Sequence, residues 1–191
     1  MSPAQWGPPV WALFHTMAEK INESLFPDIS IHLFQIVMNI CKNLPCPECA
    51  AHATTFLKSV NMNTIQTKQN FKMMLFVFHN KVNVRKKKPV FDVANLDKYA
   101  TGNLHAIYMN FVSEYTKSQG NFKLMSDTST RKRITASLST WFNQNYPKFC
   151  WPCCWPCCCH YPINLNHLFK HAFQILNRFN PAIFCRNSGN H

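Results

Sequence analysis

Glycine and acidic residues are scarce in this sequence. Only 4 of the 191 residues are glycine, whereas Rossmann-type dinucleotide sites need glycines where the backbone approaches phosphate. A nucleotide cofactor would therefore have to be held differently. Asp and Glu total 8 against 20 Lys and Arg, which gives a formal net charge of +12. This charge attracts nucleic acid, anionic lipid or an anionic cofactor. Because no nucleic-acid-binding motif is present, we expect no specific nucleic-acid partner.

Long apolar runs are also lacking. No run reaches the roughly 18 apolar residues that a membrane-spanning helix requires, so we predict no transmembrane segment. The first residues, Met1 to Gln5, show no basic region followed by an apolar stretch. We therefore expect no secretory signal and a protein that starts in the cytosol.

Apolar residues recur at helical spacing, and no strand alternation is convincing. The apolar fraction of 47% is sufficient for a core. Short connections between such helices favour an all-α bundle. The polar stretch 116–133 predicts a linker, and a weaker helical pattern covers 134–145. The five main patterns begin at Pro8-Pro9, cover 31–43, begin at Cys46, cover 66–86 and cover 93–115.

Cysteine is abundant, with 10 residues in clusters. Closely paired cysteines in a chain without a signal more often indicate redox chemistry or a metal than a structural scaffold. Cys46-Pro47-Glu48-Cys49 places two thiols at a predicted helix start, where the helix N-terminus favours the thiolate form. Taken alone, the motif fits a redox disulfide, half of a zinc site or two inert thiols.

Two further segments place polar and aromatic groups on helix faces. His79, Asn83 and Lys86 share one face and could hold a flat heterocycle and a phosphate. The alternative is a solvated helix end. Trp11 and His15 also share a face, so that a ring could stack between them. The alternative is that both are core residues of an amphipathic helix.

The three segments together resemble the Erv/ALR family of FAD-linked sulfhydryl oxidases, including the short forms carried by large DNA viruses. The family pattern is a WG…W…H start, a PCxxC centre and an HNxVN…KPxF segment. The resemblance covers about residues 4–115. The matching residues are Trp6, Gly7, Trp11 and His15, then Pro45 to Cys49, then His79 to Asn83, and then Lys88 to Phe91.

The resemblance implies a four-helix bundle with a short fifth helix around FAD. We divide the chain into an oxidase domain (1–115), a linker with an additional helix (116–149) and a Cys-rich tail (150–191). We expect the tail to be a poorly ordered extension. Its cysteines, clustered from Cys150 to Cys159, could serve as an electron shuttle, as a metal or acylation site, or have no role.

The resemblance also assigns residues. Cys46 and Cys49 become the catalytic pair, with Cys49 beside the isoalloxazine ring and Cys46 facing incoming thiols. His52 corresponds to a histidine of some viral members, or is a surface residue. No metal site is assigned. The residues expected to bind FAD are Gly7, Trp11, His15, His79, Asn80, Val82, Asn83, Lys86 and Lys88.

The implied activity is oxidation of thiols in protein substrates, or in a downstream dithiol carrier, with molecular oxygen reduced to hydrogen peroxide. The resemblance further implies a homodimer. We expect a cytoplasmic location (host cytoplasm or virion if the protein is viral) rather than the mitochondrial intermembrane space. Two alternatives use the same residues: a flavin-free thiol–disulfide carrier, and a zinc-binding interaction module that draws on the charge and the tail cysteines.

Overall fold

Helices account for all the regular structure of the described residues. The computed structural model describes residues 2–117 and 125–149, and within these ranges no strand occurs, which confirms the all-α class. The tail lies outside the described residues. Short 3-10 helices connect the longer ones, among them Val93–Tyr99. The α-helices are α1 (Pro3–Lys20), α2 (Phe26–Lys42), α3 (Pro47–Lys58), α4 (Lys68–Arg85), α5 (Leu104–Tyr115) and α6 (Met125–Asn145).

The predicted bundle is present. Helices α1 to α4 form it, and α5 is the short fifth helix. Helix α1 packs against α4 and α5, while α2 packs against α3. The core between them holds side chains with no exposed surface, among them Leu13, Phe14, Leu33, Phe71 and Phe111. The buried apolar side chains of the helices therefore form one hydrophobic cluster.

Helix α1 begins at Pro3, earlier than the Pro8 start that the sequence predicted. The amide of Ser2 donates to Oε1 of Gln5 at 3.1 Å, and Pro3 fits a first helical turn. Pro8 and Pro9 consequently lie inside the helix, where each lacks an amide hydrogen. Pro9 is buried. Packing of the buried side of α1, to which Pro9 belongs, therefore stabilises the helix where the two prolines remove backbone hydrogen bonds.

Helix α2 also begins earlier than predicted, at Phe26 instead of residue 31. The stretch Glu23–Lys42 is long and apolar enough to cross a membrane by length and composition alone, with a mean hydropathy of 1.3. The prediction of no transmembrane segment did not anticipate this stretch. In the structure its apolar side, including Leu33 and Val37, packs into the bundle core.

The helix predicted over 93–115 is broken in two. Val93–Tyr99 is a 3-10 helix, and α5 begins only at Leu104. Between them, a Cβ on Gly102 would lie 3.0 Å from Cδ1 of Ile107. A side chain at this position would require Ile107 to shift, so the close approach favours glycine here.

Helix α6 begins at Met125, so the linker prediction is wrong for residues 125–133. The cause is the polar composition of its buried face. That face contains few of the apolar residues whose spacing indicates a helix. The buried residues of α6 are Thr128, Arg131, Thr135, Leu138, Ser139 and Phe142.

Helix α6 shares the core of the bundle. Leu138, Phe142 and Phe149 belong to the same cluster of buried side chains as the residues of α1 to α5. The hydroxyl of Tyr108 on α5 donates to the carbonyl of Thr135 at 3.3 Å and also bonds the Ser139 hydroxyl. Residues 125–149 are therefore packed on the bundle rather than appended to it.

We expect Leu138→Ala to lower the free energy of unfolding by about 2–5 kcal/mol, because it removes a buried side chain from this shared core. Urea denaturation followed by circular dichroism measures the change. The exposed Ser137→Ala serves as the control, with a change within about 0.5 kcal/mol. A main transition that stays at its original midpoint in Leu138→Ala would contradict a shared core.

Candidate functional site

The first component of the site is a disulfide at the start of α3. Cys46 caps the helix, Pro47 follows in its first turn, and Cys46 is bonded to Cys49 with the Cα atoms 5.1 Å apart. The Cys49 amide donates to Sγ of Cys46 at 3.2 Å. Both cysteines are half-buried. Because the amide and the helix N-terminus point toward this sulfur, they stabilise negative charge on it.

A cavity of about 1070 Å³ lies beside the disulfide. Cys49 lines it, whereas Cys46 does not. His52 is exposed and also lines it. The structure thus brings the three sequence segments to one place. The predicted cofactor-binding residues in the cavity wall are Gly7, Trp11, His79, Asn80, Val82, Asn83, Lys86 and Lys88.

Stacked rings form one wall of the cavity. Trp11 and His79 are nearly parallel, with centroids 4.1 Å apart and an interplanar angle of 10°. Phe91 stacks on His79 at 4.6 Å. The sequence suggested a ring held between Trp11 and His15, but the His79 side chain itself lies against Trp11. His79 is therefore enclosed between Trp11 and Phe91, and the three rings together give the wall an aromatic, largely apolar surface.

His15 lies behind this wall instead of in it. Its side chain is only 2% exposed, and its Nε2 lies 3.1 Å from Nδ1 of His79. Since Nδ1 of His79 is engaged in this bond, Nε2 is the nitrogen of His79 that remains for another partner. His15 therefore acts on the cavity through His79.

Positive charge surrounds the cavity. Among the described residues, no Asp or Glu lines it. Arg85 is paired with Glu48, and this pair joins the end of α4 to the first turn of α3. A cavity with several cations and no carboxylate is suited to an anion. The cationic residues in its wall are Lys81, Arg85, Lys86, Lys88 and Lys98.

The end of α4 carries two of these lysines. The amides of Lys87 and Lys88 donate to the carbonyls of Val84 and Asn83, at 3.0 and 2.9 Å. Lys87 has a φ of 53°, in the left-handed region. This is a Schellman ending, with lysine where glycine is usual. The turn brings Lys86 and Lys88 to the same cavity.

The carboxamide of Asn80 is bonded to the protein backbone. Its Oδ1 accepts from the amide of Phe91 at 2.7 Å, and its Nδ2 donates to the carbonyl of the same residue at 3.0 Å. The sequence predicted a contact with FAD. The structure shows Asn80 holding the segment after α4, and with it the ring of Phe91, in the wall.

Sequence reasoning missed several wall residues. Phe56 lies on α3, and Lys98 and Tyr99 lie on the 3-10 helix after α4. Nζ of Lys98 is 5.0 Å from the ring centroid of Phe91 and 5.2 Å from that of Tyr99. No local motif marks Lys98 or Tyr99, because only the path of the chain after α4 brings them to the cavity.

No group of three His, Cys, Asp or Glu side chains that could hold a metal ion occurs in the described part of the chain. The cluster Cys150 to Cys159 lies outside it. Cys41 is a buried free thiol on α2. Its burial agrees with a packing role for this residue.

Comparison with known proteins decides the family. The model of the Erv1/Alr family matches residues 8–101. A protein of African swine fever virus named FAD-linked sulfhydryl oxidase is 31% identical over 85 residues, which is 44% of this chain and 71% of the relative. The chain belongs to the Erv1/Alr family. No solved structure shows a significant similarity to it.

Other viral members of the family are similar to the chain. A protein of Invertebrate iridescent virus 6 is 29% identical over 96 residues, covering 47% of this chain and 86% of the relative. A protein of Fowlpox virus is 31% identical over 78 residues, covering 41% and 74%. The names of both assign FAD-linked sulfhydryl oxidase activity provisionally. The matched residues of the family model include the disulfide and the cavity wall from Trp11 to Tyr99.

His79 in the wall and His15 behind it are both held neutral. Burial, followed by the charges of His79 and Lys98, lowers the pKa of His15 to about 3. Burial, followed by Lys98 and Lys88, lowers the pKa of His79 to about 4. Unfolded histidines take up protons near pH 6.5, so the unfolded chain binds more protons than the folded one between about pH 6.5 and 4.

Stability should therefore fall as the pH drops from about 7 to 5, with the loss beginning near 6.5. In this pH window histidine is the only type of side chain that titrates at its ordinary pKa. The slope of unfolding free energy against pH should be smaller in His15→Gln, whose amide can still bond His79. Urea denaturation at several pH values measures it, with the exposed His52→Gln as control. Equal slopes in His15→Gln and the unsubstituted protein would contradict the neutral state of His15.

Proposed function

We propose that this chain is a flavin-linked thiol oxidase. FAD binds in the cavity, the Cys46–Cys49 disulfide oxidises thiols of protein substrates or of a dithiol carrier, and molecular oxygen is reduced to hydrogen peroxide. The observation that carries the proposal is the position of Cys49. It lines the same cavity as the stacked rings and the cations. The FAD-linked names of the viral relatives support the same conclusion.

The residues present fit FAD. The cofactor has two flat ring systems and a pyrophosphate, and the cavity offers flat aromatic surfaces and lysines without carboxylates. We propose that Trp11 and Phe91, the outer rings of the stack, pack against the ring systems and that His79 contacts FAD through its edge, where Nε2 is available. Lys86 and Lys88 neutralise the phosphates. Residues Gly7, Val82 and Asn83 complete the wall. His15 and Asn80 then have positioning roles, through His79 and Phe91.

The reaction of the protein residues is thiol–disulfide exchange. A substrate thiolate attacks Sγ of Cys46, which breaks the Cys46–Cys49 bond and releases Cys49 as a thiolate. A second substrate thiolate attacks the substrate sulfur of the mixed disulfide, and Cys46 leaves. The substrate has then lost two electrons and two protons, which the cysteine pair has gained. FAD, when bound, supplies a two-electron acceptor on the Cys49 side of the pair.

The helix start assists this exchange. The amide of Cys49 already donates to Sγ of Cys46, so negative charge on the leaving Cys46 sulfur is stabilised by a hydrogen bond and by the helix N-terminus. The position of Cys46 outside the cavity wall leaves it on the side from which substrate approaches. Oxygen finally takes up the two electrons and two protons as hydrogen peroxide.

Assembly and location are part of the proposal. The viral relatives support an origin in a large DNA virus and action in host cytoplasm or virion. We further propose a homodimer, as the family resemblance implies. The division of the chain at residues 115 and 149 remains a prediction, with residues 125–149 contributing to the core of the oxidase domain.

The purified protein should be yellow with bound FAD and should consume oxygen as it oxidises dithiothreitol. Cys49→Ser should reduce this oxidation to background, because the sulfur beside the cavity is lost, while FAD absorbance stays. The exposed Ser137→Ala is the control and should keep both the FAD absorbance and the oxidation rate, because Ser137 lies on α6 outside the cavity wall. Loss of FAD from Cys49→Ser, or full activity in it, would contradict the assignment.

A chain ending at Phe149 should keep both FAD and dithiothreitol oxidation, because it retains the disulfide, the whole cavity wall and the core residues of α6. Absorbance spectra, oxygen consumption and zinc content of the full and shortened chains test this. A colourless protein whose zinc disappears with the tail would favour the zinc-binding module. A colourless protein that exchanges disulfides without consuming oxygen would favour the flavin-free carrier.

A further inference from the structure

We infer that α6 positions the redox disulfide through two buried residues, Arg131 and Tyr115. The inference rests on the proposed function of the Cys46–Cys49 pair. Arg131 and Tyr115 lie beyond residues 8–101, the part matched by the family model. The contacts between them and the disulfide loop form a continuous series.

Tyr115 holds the end of α2. Its side chain is completely buried, and its single hydroxyl proton is shared between the carbonyls of Ile40 at 3.0 Å and Asn43 at 3.1 Å. Carbonyls in the last turn of a helix lack their usual helical partners, and among the described residues the Ile40 carbonyl has only the amide of Asn43, at 3.2 Å, besides Tyr115. Burial also raises the pKa of the Tyr115 hydroxyl, which therefore remains a donor. One side chain of α5 thus fixes the position at which α2 ends.

Arg131 in turn holds Tyr115. It is only 2% exposed, its Nε donates to the carbonyl of Tyr115 at 2.8 Å, and its guanidinium carbon lies 6.0 Å from the centre of the Tyr115 ring. A second nitrogen donates to the hydroxyl of Thr128 at 3.0 Å. Hydrogen bonds from a charged group are stronger than neutral ones. Both the backbone and the ring of Tyr115 are therefore tied to α6.

Only two residues separate this anchored end of α2 from the disulfide. Leu44 and Pro45 lead from Asn43 to Cys46, and Pro45 is buried and has a fixed φ. A shift of Asn43 is therefore transmitted to the first residue of α3. It would disturb the hydrogen bond from the Cys49 amide to Sγ of Cys46, and small displacements near reacting groups cost rate.

The burial of an arginine supports a specific role for α6. Burying a charged side chain is costly unless strong hydrogen bonds offset the cost, and an apolar residue would serve simple packing better. Arg131 is buried where it meets the carbonyl at the end of α5. The hydrogen bond to this carbonyl offsets the cost of burying the Arg131 charge. The carbonyl belongs to Tyr115, the residue that anchors α2. We call Arg131 and Tyr115 positioning residues, since neither lines the cavity.

The test compares two buried tyrosines of α5 in the full chain. Tyr115→Phe removes the hydroxyl that bonds the end of α2. Tyr108→Phe removes a hydroxyl that bonds α6 alone, at Thr135 and Ser139, and is the matched control. The first measurement is the rate at which iodoacetamide alkylates Cys46 in the reduced protein at pH 7, followed by mass spectrometry of the peptide. The second is kcat and KM for dithiothreitol.

We expect Tyr115→Phe to lower the alkylation rate and kcat by about threefold to tenfold, the factor that corresponds to one hydrogen bond. KM and FAD content should be unchanged. Tyr108→Phe should leave both rates unchanged while lowering stability. The inference would be overturned if Tyr115→Phe kept the alkylation rate and kcat of the unsubstituted protein. It would also be overturned if Tyr115→Phe and Tyr108→Phe lowered these rates equally.

Arg131→Lys provides a second route if Tyr115→Phe does not fold. It keeps the charge but loses the Nε donor, and it should lower both rates by about twofold to threefold relative to the exposed control Arg133→Lys. Unsubstituted rates in Arg131→Lys would also overturn the inference. Alkylation of Cys46 requires no flavin. A colourless protein without oxidase activity would therefore refute the proposed function, while the alkylation rates would still test the positioning.

Discussion

The contacts of Phe78 determine the geometry of the site. Phe78 stacks on Phe56 of α3 with centroids 4.7 Å apart, and its ring meets that of Trp11 on α1 edge-on at 5.1 Å. Three helices are thereby joined at one buried side chain. Two turns before Phe56, the same helix α3 carries Cys49, and His79 follows Phe78 directly. The distance between the disulfide and the stacked wall is thus set by aromatic packing in the core.

Electrostatics complement this packing. Five cationic side chains line a cavity in which the described residues place no carboxylate, and like charges held together in a folded protein oppose folding. An anion that binds only the folded state removes this repulsion and adds its own binding free energy to stability. The neutral state of His79 in the wall and of His15 behind it adds no further positive charge to the site. The arrangement is therefore most favourable with an anionic ligand bound.

The sequence predicted best those parts in which local pattern and tertiary packing agree. The bounds of α4 came from an apolar stripe that faces the core, and the start of α3 from proline beside a capping residue. The break between Tyr99 and Leu104 was missed because the apolar spacing used to predict a helix over 93–115 continues across it. The helical pattern over 134–145 predicted the second half of α6, whereas residues 125–133 were missed because buried positions there hold polar side chains such as Arg131, which partners from α5 make tolerable. The backbone bonds of Asn80 likewise depend on where Phe91 lies in space.

The extent of the family match and the extent of the core differ, and this difference affects how the site is understood. The match ends at residue 101, yet Leu138 and Phe142 pack in the same cluster as Leu13 and Phe71. In a close-packed interior, a change in one part of the cluster displaces its neighbours. The position of the disulfide therefore depends on side chains outside the matched region as well as on those inside it. In a protein that shared the cavity residues but had a different sixth helix, the cysteine pair would therefore be positioned by different core contacts.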